Sequence, residues 1–151
     1  MNVEERIKTE GNIPLEKRTI IHLILVSNII NEKIALVLKP FDISIQQFNV
    51  LRILRGQKGK PANLSTLNER MVTKMSNTTR LVDKLIRKEY VERHICPSNR
   101  RKIEITITAK GQEQLNIMDT LVSETEKRLL HRFSVVELEQ LNTLLNNFDL
   151  K

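Results

Sequence analysis

The chain has 151 residues, 40% of them apolar, and carries 25 Lys and Arg against 18 Asp and Glu, a net charge of +7. That length suits one domain with its own core rather than two independent ones. A single cysteine, Cys96, excludes an intramolecular disulfide framework, and the opening MNVEERIKTEGN, with Glu4, Glu5 and Glu10, does not fit a secretory signal.

Residues 1 to 13 are polar. Pro14 can open a helix, where its missing N–H costs nothing, and Leu15 to about Lys39 then runs without Gly or Pro. Its apolar residues cover more than one face, which calls for two partners: its own domain on one side and a second subunit on the other. A central helix inside a monomeric bundle is the alternative, weaker because few other wholly apolar helices exist to surround it. Between Ile20 and Leu38 the apolar run is broken by His22, Asn28, Asn31, Glu32 and Lys33, which argues against a membrane span and for a soluble, cytoplasmic protein. Pro40 is expected to end this helix by pushing Lys39 out of the helical region.

Ser44 reads as an N-cap with Gln47 as its capping-box partner, opening a helix to about Arg55 with Phe48, Leu51 and Leu54 on one stripe. Gly56, Gly59 and Pro61 mark a loop. Asn63 to Met71 predicts a short helix with Leu64, Leu67 and Met71 inward. After a turn at Val72-Thr73, a second helix is expected from near Lys74 to about Lys88, burying Leu81, Val82, Leu85 and Ile86. Two short helices, the second beginning with small polar residues, match a helix-turn-helix.

Tyr90 to Ile95 reads as a strand, and Ile103 to Ile107 alternates apolar and polar as a strand with one buried face. Between them, Cys96 to Lys102 combines turn residues with three consecutive cations, the composition of a basic wing. Thr108 caps a helix to about Arg132, with Leu115, Met118, Val122 and Leu129 on one stripe that Thr125 can join. Ser134 and Glu137 form a second capping box, Phe133 and Leu138 are placed as a hydrophobic staple, and the last helix carries Leu138, Leu141, Leu145 and Phe148. The expected fold is mainly α with a small β-hairpin wing: a winged helix-turn-helix over residues 44–107, with residues 14–39 and 109–151 as dimerisation helices of one domain.

From Arg70 to Lys110 there are eleven Lys and Arg against four acids, a net of +7, so the rest of the chain is neutral. An excess confined to one segment is what a phosphate-neutralising surface requires, although a solvated basic face would show the same run. Ser76, Asn77, Thr78 and Thr79 are assigned to a major-groove face, Asn77 being suited to adenine; Ser76 can equally be a helix cap. Lys74 lies just before them. Arg80 and Lys84 suit backbone contacts, with an Arg80–Asp83 pair as the alternative. Asn99, Arg100, Arg101 and Lys102 form the wing reader, one of them pointing back into the hairpin. If Arg80, Lys84, Arg100, Arg101 and Lys102 met phosphates from both subunits, log affinity would fall with log salt at a slope of about −9, an upper bound. The five aromatic residues sit in or beside apolar helical patterns, which weakens single-strand or RNA binding by stacking.

His22, His94 and His131 are scattered, Cys96 with His94 supplies only two ligands, and no nucleophile–base pair or phosphate loop is present, so neither a metal, a cofactor nor an enzyme is expected. Cys96 beside Arg93, His94 and Arg100 raises an oxidation-sensing alternative, with no second cysteine in the subunit to resolve it. A different class, a protein-interaction adaptor on the same scaffold, would keep its partner when Arg100 and Arg101 are mutated.

The ordered set Leu38-Lys39-Pro40, Ile43 to Leu51, Leu67 to Met71, Thr79 to Leu85, Val91-Glu92-Arg93, Asn99-Arg100-Arg101 and Ile105 to Gly111 resembles the MarR family of bacterial transcriptional regulators over nearly the whole chain. The resemblance implies a homodimer joined by terminal helices, one winged helix per subunit on a palindromic double-stranded operator, repression, and release by a small molecule. That effector, in many members aromatic, binds near the junction of the dimerisation and DNA-binding regions. Three positions depart from the pattern: Val72 stands where Gly is common in the turn, Glu89 where Gly often ends the recognition helix, and Asn99 where Asp often precedes the wing arginines.

Overall fold

The computed structural model describes residues 2–9, 11–72, 77–95 and 103–148. Its elements are α1 (Val3–Ile7), α2 (Leu15–Leu38), a 3-10 turn (Lys39–Phe41), α3 (Ile45–Gly56), α4 (Leu64–Arg70), α5 (Thr78–Arg87), β1 (Val91–Ile95), β2 (Ile103–Ile107), α6 (Ala109–Leu130) and α7 (Val135–Leu145).

Local capping sets most of these boundaries. Ser44 accepts from the Gln47 N–H while the Gln47 side chain accepts from the Ser44 N–H, and Ser134 and Glu137 repeat the arrangement before α7. Asn63 caps α4 and Thr108 caps α6. Each cap satisfies helix N–H groups that the helix itself leaves open.

The end of α2 differs from the expectation. Lys39 stays helical, at φ −54 and ψ −44, and Pro40 lies in the first turn of the 3-10 segment. Proline disfavours a preceding helical residue without forbidding it, and here the chain tightens first and leaves at Asp42, whose φ of 52 is left-handed. Among the described residues the second helix of the pair runs from Thr78 with Asn77 at the N-cap position; Lys74, where composition suggested its start, lies outside the described residues.

The core is built where α3, α5, the hairpin and α6 meet the end of α2. Leu38, Phe48, Leu51, Leu67, Leu85, Ile105, Leu115 and Met118 are its largest fully buried side chains. β1 and β2 pair antiparallel from Val91 opposite Ile107 to Ile95 opposite Ile103. Ala62 adds a bridge to Ile105, with N···O distances of 3.0 and 2.7 Å, which roots the hairpin beside α4. Of the β2 alternation only Ile105 is fully buried; Ile103, near the hairpin tip, is exposed.

The terminal helices are poorly covered. α2 buries only Leu38 and α7 buries nothing, while Leu15, Ile20, Ile24, Leu36, Val135 and Leu144 stay exposed. Phe148 falls beyond the end of α7 rather than on it. By length and composition alone α2 is apolar enough to cross a membrane. It nevertheless packs on α6 and α3 of the same domain and carries Glu32 and Lys33 in its second half.

Candidate nucleic-acid interface

The helix-turn-helix is held by contacts that composition did not reveal. Thr78 is buried and its hydroxyl is bonded to the Asn68 side chain, tying the first turn of α5 to α4. The assignment of Thr78 to the major-groove face is therefore corrected: helical spacing puts it on the side of Val82 and Leu85, four and seven residues on, which are buried with it.

Asn77, Thr79 and Arg80 are exposed at the start of α5. The Asn77 carboxamide makes no capping bond to the helix and has no hydrogen-bond partner among the described residues. Arg80 has no ion pair among the described residues. Asp83, its possible partner, instead accepts from Arg93 of β1 at 2.8 Å, so this pair fastens the hairpin to α5. Lys74, Ser76, Asn99, Arg100, Arg101 and Lys102, together with Cys96, lie outside the described residues.

The far end of α5 is closed by a Schellman motif. The Tyr90 N–H donates to the Leu85 carbonyl at 3.0 Å and the Glu89 N–H to the Ile86 carbonyl at 2.8 Å. Glu89 has φ 61, the left-handed conformation that explains a glycine preference at this position. Its carbonyl accepts from the Thr108 hydroxyl at 2.7 Å, and Lys110 pairs with its carboxylate and holds that carboxyl below the usual range. Val72, the other helix-turn-helix departure, keeps a negative φ and is almost wholly exposed, so no glycine is required there.

α6 meets the wing at Gly111. A Cβ on this residue would stand 2.8 Å from the Tyr90 carbonyl carbon and 3.0 Å from Ile107 Cγ1, closer than side chains tolerate. With the Thr108 N–H on the Tyr90 carbonyl at 3.0 Å, this fixes α6 against the base of β1.

Lys84 continues the Arg80 face but also lines an open pocket of about 680 Å³ between α2, the start of α3 and the end of α5. Its charged lining is Lys39, Lys84, Arg87 and Lys88 against Glu32 and Asp42, a cationic excess over an apolar floor that includes Leu36 and Ile43. Arg87, Lys88 and Asp42 were not singled out from the sequence. The three-and-four spacing of Arg80, Lys84 and Arg87 was visible there, whereas the meeting of α5 with Asp42 was not.

The MarR family model matches residues 43–103. A MarR-like transcription regulator from Bacillus cereus is similar at 26% identity over 87% of this chain and 94% of its own, with a TM-score of 0.76. A mutant MarR from E. coli, solved in complex with operator DNA, is 24% identical over 97% of each chain with a TM-score of 0.74. Bordetella bronchiseptica BpsR, in a structure describing regulation of its DNA binding by 6-hydroxynicotinic acid, is 17% identical over 92% of this chain and all of its own, with a TM-score of 0.78. With the helix-turn-helix, the hairpin and the terminal helices in the same order, residues 43–103 match the MarR family and the chain shares the fold of MarR-family winged helix-turn-helix regulators.

Proposed function

We propose that this protein is not an enzyme but a homodimeric, sequence-specific binder of duplex DNA that represses transcription in the cytoplasm and is released by a small anionic molecule. The observation that carries the reading is the first turn of α5, where Asn77, Thr79 and Arg80 are exposed and unpaired among the described residues while Thr78 turns inward to lock the helix in place. A helix N-terminus presenting one carboxamide, one hydroxyl and one guanidinium suits base edges and phosphates together. Lys74, Ser76, Lys84, Asn99, Arg100, Arg101 and Lys102 complete the proposed surface, with the wing cations reaching the flanking backbone or minor groove.

The dimer is supported by α2 and α7, whose Ile20, Ile24, Val135 and Leu144 stay exposed among the described residues. The effector site is the pocket between α2, α3 and α5, whose cationic lining and apolar floor fit a small molecule with an acidic group on an apolar body. The decisive experiment selects bound sequences from a random duplex pool at stated salt: a palindromic consensus is expected, and recovery of no enriched sequence would remove the reading.

A further inference from the structure

The two long walls of the pocket, α5 and α2, both rest on α3; α5 packs besides on α4 and β1, and α2 on α6. Lys88, the C-cap of α5, bridges them: its Nζ donates to the Phe41 carbonyl at 3.3 Å and pairs with Asp42 Oδ2 at 2.9 Å. Both acceptors sit where the chain leaves α2. Phe41 ends the 3-10 turn, and Asp42 stands in the left-handed conformation that reverses the chain into α3. The two partners are unequally held, since the Lys88 side chain is 27% exposed and that of Asp42 92%. The ammonium is therefore fixed within the structure, while the carboxylate it holds can be exchanged for one from solution. Bonding to Lys88, with a further contribution from the nearby Lys84, holds the Asp42 carboxyl below its usual range, so it is charged at neutral pH.

Taking α5 as the DNA-facing helix, we infer that Lys88 and Asp42 form an ionic latch positioning the recognition helix against the turn that ends the dimerisation helix. A carboxylate entering the pocket opens the latch by replacing Asp42 on Lys88. Both are positioning residues: neither lies on the exposed first turn of α5, and their effect on DNA is exerted through the angle at which that turn is presented.

The sign of one substitution separates this latch from plain charge. Asp42→Asn makes the protein more positive, which on phosphate electrostatics alone tightens DNA binding. The latch requires the opposite. Against a duplex selected by the wild-type dimer, at fixed salt, Asp42→Asn weakens binding about two- to five-fold, the range of an exposed ion pair. Affinity for random-sequence duplex stays equal or rises, Lys88→Arg binds as the wild type does, and Asp42→Asn/Lys88→Gln is no weaker than Lys88→Gln alone. Benzoate, used as the carboxylate probe, weakens operator binding by the wild type and has little further effect on Asp42→Asn, whose latch is already open. Tighter operator binding by Asp42→Asn, additive single effects, or equal benzoate responses in the two proteins overturns the latch while leaving the DNA reading intact. If the wild type selects no duplex at all, the DNA reading falls and the latch with it.

Discussion

Replacing Arg80 by Ala tests the proposed interface with a number. Arg80 is exposed in the first turn of α5 and unpaired among the described residues, and Asp83 is already engaged by Arg93. Its removal should leave folding nearly unchanged, within about 0.5 kcal/mol as for other uncoupled surface positions. If each Arg80 of a dimer neutralises one phosphate, losing two contacts reduces the salt slope by about 1.8. Between 50 and 150 mM salt, a three-fold change, the ratio of wild-type to Arg80→Ala affinity then narrows by about seven-fold. Fluorescence anisotropy on a labelled operator across that range reads the two slopes directly. Parallel salt lines would refute the phosphate role; parallel lines with a large constant loss would reassign Arg80 to a base edge.

Gly111→Ala sets helix propensity, worth about 1 kcal/mol in favour of Ala, against a Cβ forced onto the Tyr90 backbone, an overpacking cost of about 1–3 kcal/mol. Chemical denaturation should show net destabilisation, and a more stable variant would disprove the close approach. Glu89→Gly removes a left-handed glutamate at the expense of an exposed pair with Lys110, so the melting temperature should rise by about two to four degrees and not fall. Leu144→Glu places charge on the uncovered face of α7 and should shift sedimentation from dimer toward monomer; an unchanged dimer would put the interface elsewhere. The carboxyls of Glu4, Asp42, Glu89 and Glu137 are all held below their usual range, by Arg18, Lys88, Lys110 and the Ser134 backbone N–H respectively. A carboxyl depressed in the folded state stabilises above its unfolded pKa. Stability should therefore decline as pH falls from about 4.5 through the folded values, and a melting temperature still flat at pH 3 would contradict these pairings.

What was legible in the sequence was local. Ser44 with Gln47, Ser134 with Glu137 and Thr108 before α6 place helix starts because each cap and its partner are three residues apart, and the Ile103 to Ile107 alternation reports a strand by its period alone. The inward turn of Thr78 was also legible in principle, from its spacing to Val82 and Leu85, but a run of four small polar residues hides a period that larger side chains would show. Lys39 escaped because a preference of the residue before proline competes with a helix end that can tighten into a 3-10 turn. The pocket could not be read at all. Asp42 and Lys88 are 46 positions apart in the sequence, and only the packing of α3 against α5 brings them to 2.9 Å.

Those two kinds of information meet on α5. Its first turn carries the exposed Asn77, Thr79 and Arg80, and its last residues carry Arg87 and Lys88 into the pocket wall. A helix of ten residues is about 15 Å long at 1.5 Å per residue. A tilt of about 4° about the Lys88 end then displaces the Asn77 end by about 1 Å along that length. Hydrogen bonds to base edges span only a few tenths of an ångström between good and poor, so a displacement of that size is enough to cost sequence recognition while leaving phosphate attraction largely in place. The part-buried Thr78–Asn68 bond resists such movement at one end and the Lys88–Asp42 pair at the other. Of the two, the second holds an acid that stands almost wholly in solvent, so regulation of the proposed DNA-facing helix is expected to enter from its C-terminal end.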